Sequence, residues 1–300
     1  GFAPLGLRSF VNAMPNWLRE KLHLSREIKK NLPGEWNNRI VFVSHHESHA
    51  ASAFFPSPFD EAAILTMDGV GEWDTATIGE GSANRIEILR SLQFPDSLGL
   101  LYSAFTYFAG FKVNSGEYKL MGLAPYGKPI YKEIILDKLL DLKSDGSFTM
   151  NMDYFAYCHG LTMTTEKFSK LFDGPPRKSE SQITEREMNL ASSIQAVTEE
   201  IVLRMASYAR DLTGKKNLCL SGGVALNCVA NGKLLDSGLF DRIWVQPASG
   251  DAGGALGCAL FSHYQLLNQD RIPEETDSMR GSYLGPAFEE ETIREFLEEE

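Results

Sequence analysis

The sequence predicts an α/β fold built on a mixed or parallel sheet. Short apolar runs of strand length alternate with stretches of helical period, and three of the runs (62–67, 217–221 and 242–246) lead into glycine-rich turns. With 300 residues and 43% hydrophobic content, the chain can bury one large core or two smaller ones.

Taken in order, residues 5–30 carry a helical pattern with a basic face (Arg8, Arg19, Lys21, Arg26, Lys29, Lys30), read as a solvated side. Residues 39–44 and 62–67 are expected as buried strands. SHHESHAASAFFPSPF, between them, predicts a short helix broken by Pro56 and Pro58. Residues 75–80 and 85–94 continue a β pattern that turns at Gly81 and Asn84. Segments 97–111, 130–142 and 186–212 read as helices, the last long and amphipathic. A strand over 217–221, a helix over 224–235, a strand over 242–246 and a small-residue helix over 252–268 complete the pattern.

A net charge of −11 argues against a general binder of nucleic acid or anionic membrane, because phosphate recognition needs a basic field. Cys158, Cys219, Cys228 and Cys258 form no CxxC pair, so reduced, mostly buried thiols and a cytoplasmic location are expected. No run approaches ~18 uninterrupted apolar residues, and the N-terminus lacks the features of a signal peptide. The chain opens at Gly1 and stops inside FEEETIREFLEEE, so a piece of a longer protein is expected.

The densest chemistry lies in VFVSHHESHAAS, residues 41–52. If the chain turns helical after the apolar run, His45 and His49 share one face and can hold a divalent metal together. The zinc-protease pattern HExxH is not met, because His46 follows His45 and Glu47 sits at the wrong offset for a general base. TMDGVGEWDT predicts a hairpin. Its glycines, Gly69 among them, would leave N–H groups free for an anion, and Asp68 could bind a metal or water; an ordinary hairpin turn explains it equally well.

LCLSGGVALN runs from a strand through Gly222 and Gly223 into a helix start, an arrangement that admits a nucleotide. Asn227, about one turn further on, could bond a ribose or base; close strand–helix packing is the plainer explanation. In PASGDAGGALG, Asp251 sits at a helix N-terminus, where a cap would account for it. The glycines after it suggest close approach by a backbone or a ligand. In VNSGEYKLMGLAPYG, Glu117 and Lys119 suit ribose hydroxyls and a phosphate, or form a surface ion pair of little energetic weight.

In series, SHHESHAAS, MDGVGEWDTATIG, NSGEYKLMGLAPYG, LSGGVALN and PASGDAGGALG resemble the carbamoyltransferases of the nodulation-protein type. That group includes antibiotic O-carbamoyltransferases and is related to the hydrogenase-maturation carbamoyltransferase and the tRNA threonylcarbamoyl-transferase. The resemblance covers residues 1 to about 290.

It implies an actin-like/hexokinase-like (ASKHA) duplicated fold. Residues 1–60 would be the end of a first repeat, 61–270 a second repeat, and 271–300 the start of a connection to a further domain. It also implies one divalent metal, iron foremost, with His45, His49 and Asp251 as ligands and Asp68 as a further acidic position. Gly222, Gly223 and Asn227 would match an adenosine loop, Glu117 and Lys119 a ribose and phosphate region, and His46 would orient a ligand. The implied reaction forms carbamoyl-adenylate from carbamoyl phosphate and ATP, then transfers the carbamoyl group to the hydroxyl of a small-molecule acceptor. His45, His49 and Asp68 would be its catalytic group.

Relatives also carry a strand-rich N-terminal segment with a phosphate loop, and a C-terminal domain where the first step occurs. The 300 residues alone are therefore expected to turn over little or not at all. A sugar-kinase or actin-like ATPase reading would share the glycine loops without needing the histidines. A non-enzymatic module with packed histidines is the plainest alternative.

Overall fold

The computed structural model describes residues 4, 6–19, 21–31, 40–275 and 278–299. Two helices, α1 (Leu7–Arg19) and α2 (Leu24–Asn31), come first and bury no residue; Leu7, Phe10, Trp17 and Leu18 are exposed along with the basic side chains. Residue 39 lies outside the described residues, and 40–44 form no strand, contrary to expectation. An apolar run becomes a strand only where it lies against another strand's backbone, and 40–44 pair with none of the strands β3-β2-β1-β6-β7.

That strand is β1 (Glu61–Met67), which follows α3 (His45–Phe54). β2 (Asp74–Ser82) and β3 (Arg85–Gln93) pair antiparallel on one side of β1, turning at Ala83 and Asn84. On its other side lie β6 (Asn217–Ser221) and then β7 (Arg242–Val245), both parallel to it. The result is a mixed five-stranded sheet in the order β3-β2-β1-β6-β7. β1 is buried on both faces. Ala63, Leu65 and Met67 face one core, and Ala62 and Ile64 the other, which is why its sequence shows no polar alternation.

The larger core joins the sheet to α4 (Leu98–Phe108), α5 (Glu117–Leu123) and α8 (Glu185–Thr213). Between α5 and α8 lie the short α6 (Lys132–Ile134), a hairpin of β4 (Leu140–Leu142) and β5 (Phe148–Met150), and α7 (Glu166–Leu171). The helix expected over 130–142 therefore ends early in a π turn (Ile135–Leu139) and becomes strand β4. Its leucines suit either period, and the Asp145-Gly146 turn, with Gly146 at φ +84°, decides for a hairpin.

The smaller core sets α3 against α10 (Gly254–Leu260), with Phe54, Phe59 and Cys219 buried between them and the sheet. A single turn over Gly223–Leu226 precedes α9 (Cys228–Asp236). Helix α11 (Glu290–Glu299) ends the described chain. All four cysteines are free, but only Cys219 is buried. Cys228, the first residue of α9, is exposed, contrary to expectation. No described helix is long and apolar enough to cross a membrane.

Candidate metal centre

Strands β1, β6 and β7 run parallel, so their carboxyl ends lie along one edge of the sheet, where α/β folds gather ligand sites. Asp68 follows β1 by one residue, Gly222 follows β6 by one, and Asp251 follows β7 by a short turn. The N-terminus of α3 arrives at the same edge. Ser44 starts that helix: its N–H and hydroxyl both donate to the Glu47 carboxylate, the hydroxyl at 2.7 Å. Glu47 is thus engaged in capping. Glu72, in the β1–β2 turn, accepts the His45 N–H at 3.1 Å. An anion at a helix N-terminus is favourable there.

With α3 so anchored, His45 and His49 lie one turn apart with their rings edge to face. His45 Nε2 lies 3.0 Å from His49 Nε2, and Asp68 Oδ2 lies 3.0 Å from the first and 2.8 Å from the second. Asp251 Oδ1 stands 3.7 and 3.8 Å from the same two nitrogens. All four donor atoms fall within 4.8 Å of one another. For ligands about 2.1 Å from an ion, neighbouring donors stand about 3.0 Å apart in an octahedron and about 3.4 Å in a tetrahedron. The donor set and its spacing therefore fit one divalent ion. The set is graded in exposure: His49 is fully buried, and the Asp251 side chain is 81% exposed.

The electrostatics agree. Burial raises the Asp68 carboxyl, but hydrogen bonds from His45, His49 and the Gly69 N–H outweigh it and hold Asp68 well below the usual carboxylate range. The bond to Asp68 in turn raises His45. The centre is a fixed negative charge between two imidazoles.

His46 turns away from this cluster. Its Nδ1 accepts the Thr66 hydroxyl at 2.6 Å, Thr77 Oγ1 lies 2.6 Å from Thr66 Oγ1, and its Nε2 donates to the Asp74 carbonyl at 2.9 Å. It ties α3 to β1 and β2 and orients no ligand through a hydrogen bond. Burial pushes its imidazole down from 6.5 to about 4. Between those values the unfolded chain binds the extra proton, so stability falls as pH drops through 6.5 and levels off below about 4. The gap corresponds to about 3 kcal/mol. Urea unfolding of the chelator-treated chain from pH 7 to 4 should show this slope, and His46→Gln should remove it. A difference between the two proteins that stays constant with pH would refute the assignment. The comparison cancels His45, whose raised pKa gives the opposite slope, and Asp68, whose contribution is lost only below its unfolded value of 3.8.

The other sequence-derived residues gather beside the centre. The Gly69 N–H donates to Asp68 Oδ1 at 2.7 Å, the Gly71 N–H to the Asp74 carbonyl, and the Gly222 N–H to the Ser249 carbonyl. The hairpin glycines thus spend these amides inside the protein. Gly222 has φ +91°, and a Cβ there would lie 2.2 Å from the Met67 carbonyl oxygen; one on Gly223 would lie 2.9 Å from Asp68 Oδ1. Both glycines let β6 turn closely around the end of β1.

Asn227 is the N-cap of α9 and does not lie one turn inside it. Its Oδ1 accepts the Ala230 N–H, and its amide exchanges two bonds with buried Gln195, at 3.0 and 2.9 Å. Glu117 accepts from Ser103 Oγ and from the N–H groups of Asn114 and Gly116, while Lys119 is exposed. Met121 of α5 and Cys228 of α9 touch through their sulfurs at 3.9 Å, so Glu117 and Lys119 lie on a helix next to the glycine loop. Sequence reasoning missed Gln195 and Glu72. Only its place directly after Gly69-Val70-Gly71 hinted at the latter.

Residues 1–260 match the family described as "Carbamoyltransferase N-terminus", and the chain belongs to that family. It is 58% identical over 302 residues to the uncharacterised protein sll1178 of Synechocystis sp., covering 99% of this chain and 49% of that one. It is 39% identical over 229 residues to the nodulation protein NolNO of Sinorhizobium fredii, covering 76% of this chain and 32% of the relative. Full-length HypF in its phosphate- and nucleotide-bound form aligns at 15% identity with a TM-score of 0.44, over 81% of this chain and 45% of that one. The chain thus spans about half or less of these relatives.

Proposed function

We propose that this chain contributes the metal and adenylate site of a carbamoyltransferase. In this reading water splits carbamoyl phosphate into carbamate and phosphate, carbamate displaces pyrophosphate from ATP to give carbamoyl-adenylate, and an acceptor hydroxyl on a small molecule attacks the carbamoyl carbon, losing its proton as AMP leaves. The observation that carries it is the four-donor cluster of His45, His49, Asp68 and Asp251 at the carboxyl edge of the sheet, in a chain of the carbamoyltransferase family. Iron is the expected ion, and the cytoplasm the expected location. When bound, the ion supplies Lewis-acid stabilisation of charge developing on a carbamoyl or phosphate oxygen.

The chain's own residues do the rest. His45 and His49 are held at fixed spacing by α3, and Asp68 stays ionised between them. Asp251, on the exposed side, leaves the centre open toward a substrate. Gly222, Gly223 and Asn227 offer adenosine a close backbone approach. The Asn227 side chain is committed to Gln195, so recognition there falls to the backbone and to exposed neighbours such as Leu226. Gly69 keeps Asp68 in register, and Glu117 shapes the loop that presents Lys119 to phosphate. Direct transfer needs no nucleophilic side chain. The actin-like duplicated architecture, with 1–60 closing a first repeat, 61–270 forming a second and 271–300 leading onward, belongs to the same proposal.

The competing reading is a kinase-like ATP-binding phosphotransferase, which would use the glycine loops and not the histidines. Equilibrium ATP binding to the metal-loaded chain separates the two. Binding should weaken at least about tenfold in His45→Ala/His49→Ala, the effect of losing one charge-bearing contact. Unchanged ATP affinity in that variant would favour the phosphotransferase.

A further inference from the structure

We propose that Ser221 is a positioning residue of the metal centre: its hydroxyl accepts the proton of His49 on Nδ1, which leaves Nε2 free to bind the ion. The inference rests on the metal reading of the His45–His49–Asp68–Asp251 cluster.

His49 is fully buried, so neither ring nitrogen can turn to water. Its Nε2 points into the cluster, 2.8 Å from Asp68 Oδ2. A neutral imidazole binds a cation through Nε2 only when the hydrogen sits on Nδ1. That Nδ1 lies 3.3 Å from Ser221 Oγ.

Hydrogen-bond accounting around Ser221 gives the direction. A serine hydroxyl carries one hydrogen and two lone pairs. Ser52 spends its hydrogen on the His49 carbonyl at 2.8 Å, so its oxygen faces Ser221 Oγ, 3.3 Å away, as an acceptor. The Ser249 carbonyl is a second acceptor at 3.5 Å. The hydrogen of Ser221 therefore has a place away from His49, and a lone pair remains for Nδ1–H. Ser52, Ser221 and Ser249 are all fully buried. The placement comes from the sheet: Ser221 is the last residue of β6 and pairs with Thr66 of β1, two residues before Asp68. One ladder thus sets both the carboxylate in front of His49 and the hydroxyl behind it.

In the metal-free chain the hydroxyl can reverse, donating to Nδ1 while Nε2–H donates to Asp68. Without the hydroxyl, binding an ion would strand a buried N–H, the costlier of the two orphans. The consequence appears in metal affinity more than in folding.

The test is a Co2+ titration of the chelator-treated chain, followed by its absorption spectrum, with metal-free melting temperature as a check on folding. Ser221→Ala should weaken Co2+ binding roughly 10–100-fold, the range for losing the outer partner of a ligating histidine. Ser221→Thr keeps the hydroxyl and should bind within about threefold of wild type, as should Ser52→Ala, which leaves the Ser249 acceptor in place. Equal affinity in Ser221→Ala and wild type overturns the inference. So do equal losses in Ser221→Ala and Ser221→Thr, which would make volume and not the hydroxyl the cause. Failure of the wild type to bind Co2+ overturns the metal reading itself, and is distinguishable from both.

Discussion

Replacing His45 and His49 together with alanine is expected to abolish metal retention. Protein purified without added metal should carry about one equivalent of a divalent ion, read by mass spectrometry, and the double variant almost none. The geometry sets this expectation. The two Nε2 atoms take part in all three of the short contacts among the donors, and the remaining pair, Asp68 and Asp251, are carboxylates on different turns. Losing one outer hydrogen bond to a ligand costs 10–100-fold in affinity, so losing two ligands should cost more than about 100-fold. His46→Gln is the sharp control. It alters the histidine between His45 and His49 yet removes none of the four clustered donors, because His46 is bonded to Thr66 and Asp74. It should keep its metal. Retention in the double variant, or absence of metal from the wild type, would remove the centre from consideration.

The contrast between these neighbouring histidines marks the limit of what could be read beforehand. Positions i and i+4 on a short helix place His45 and His49 on one face, and the SHHE start and the prolines after Phe55 bound that helix. Alternation of apolar runs with glycine turns was enough to expect β1, β6 and β7 in a mixed or parallel sheet; that their loops converge at one edge follows from the pairing. What could not be read depends on partners far away in the chain. The Gln195 amide meets Asn227 across 32 positions, and Ser221 meets His49 across 172. Nothing local distinguishes a capping asparagine from one aimed at a ribose. Residues 40–44 form no strand for the same reason: apolar content is local, whereas pairing depends on where distant segments lie.

Gly257→Ala should lower the melting temperature by roughly 6–12 °C and weaken metal binding with it. A Cβ at Gly257 would lie 1.8 Å from the Ser48 carbonyl oxygen on α3, a distance that backbone cannot tolerate. The glycine-rich turn of α10 is therefore explained by a second backbone: α3 and α10 touch where a side chain would intervene. Forcing extra volume into such a contact costs about 3 kcal/mol, which corresponds to the stated shift for a domain of this size. The link to the metal is direct. Ser48 sits between His45 and His49, and Asp251 lies three residues before α10 begins. Pushing the helices apart lengthens the 3.7 and 3.8 Å separations between Asp251 and the histidines first. Gly232→Ala provides the opposite case. It lies within α9 with nothing inside 4 Å of an added Cβ, so alanine there should be neutral or stabilise by up to about 1 kcal/mol. If both variants melted alike, close approach of α3 to α10 would not be the reason for glycine at 257, and the helix that carries the histidines would have to be held at the sheet edge by other contacts.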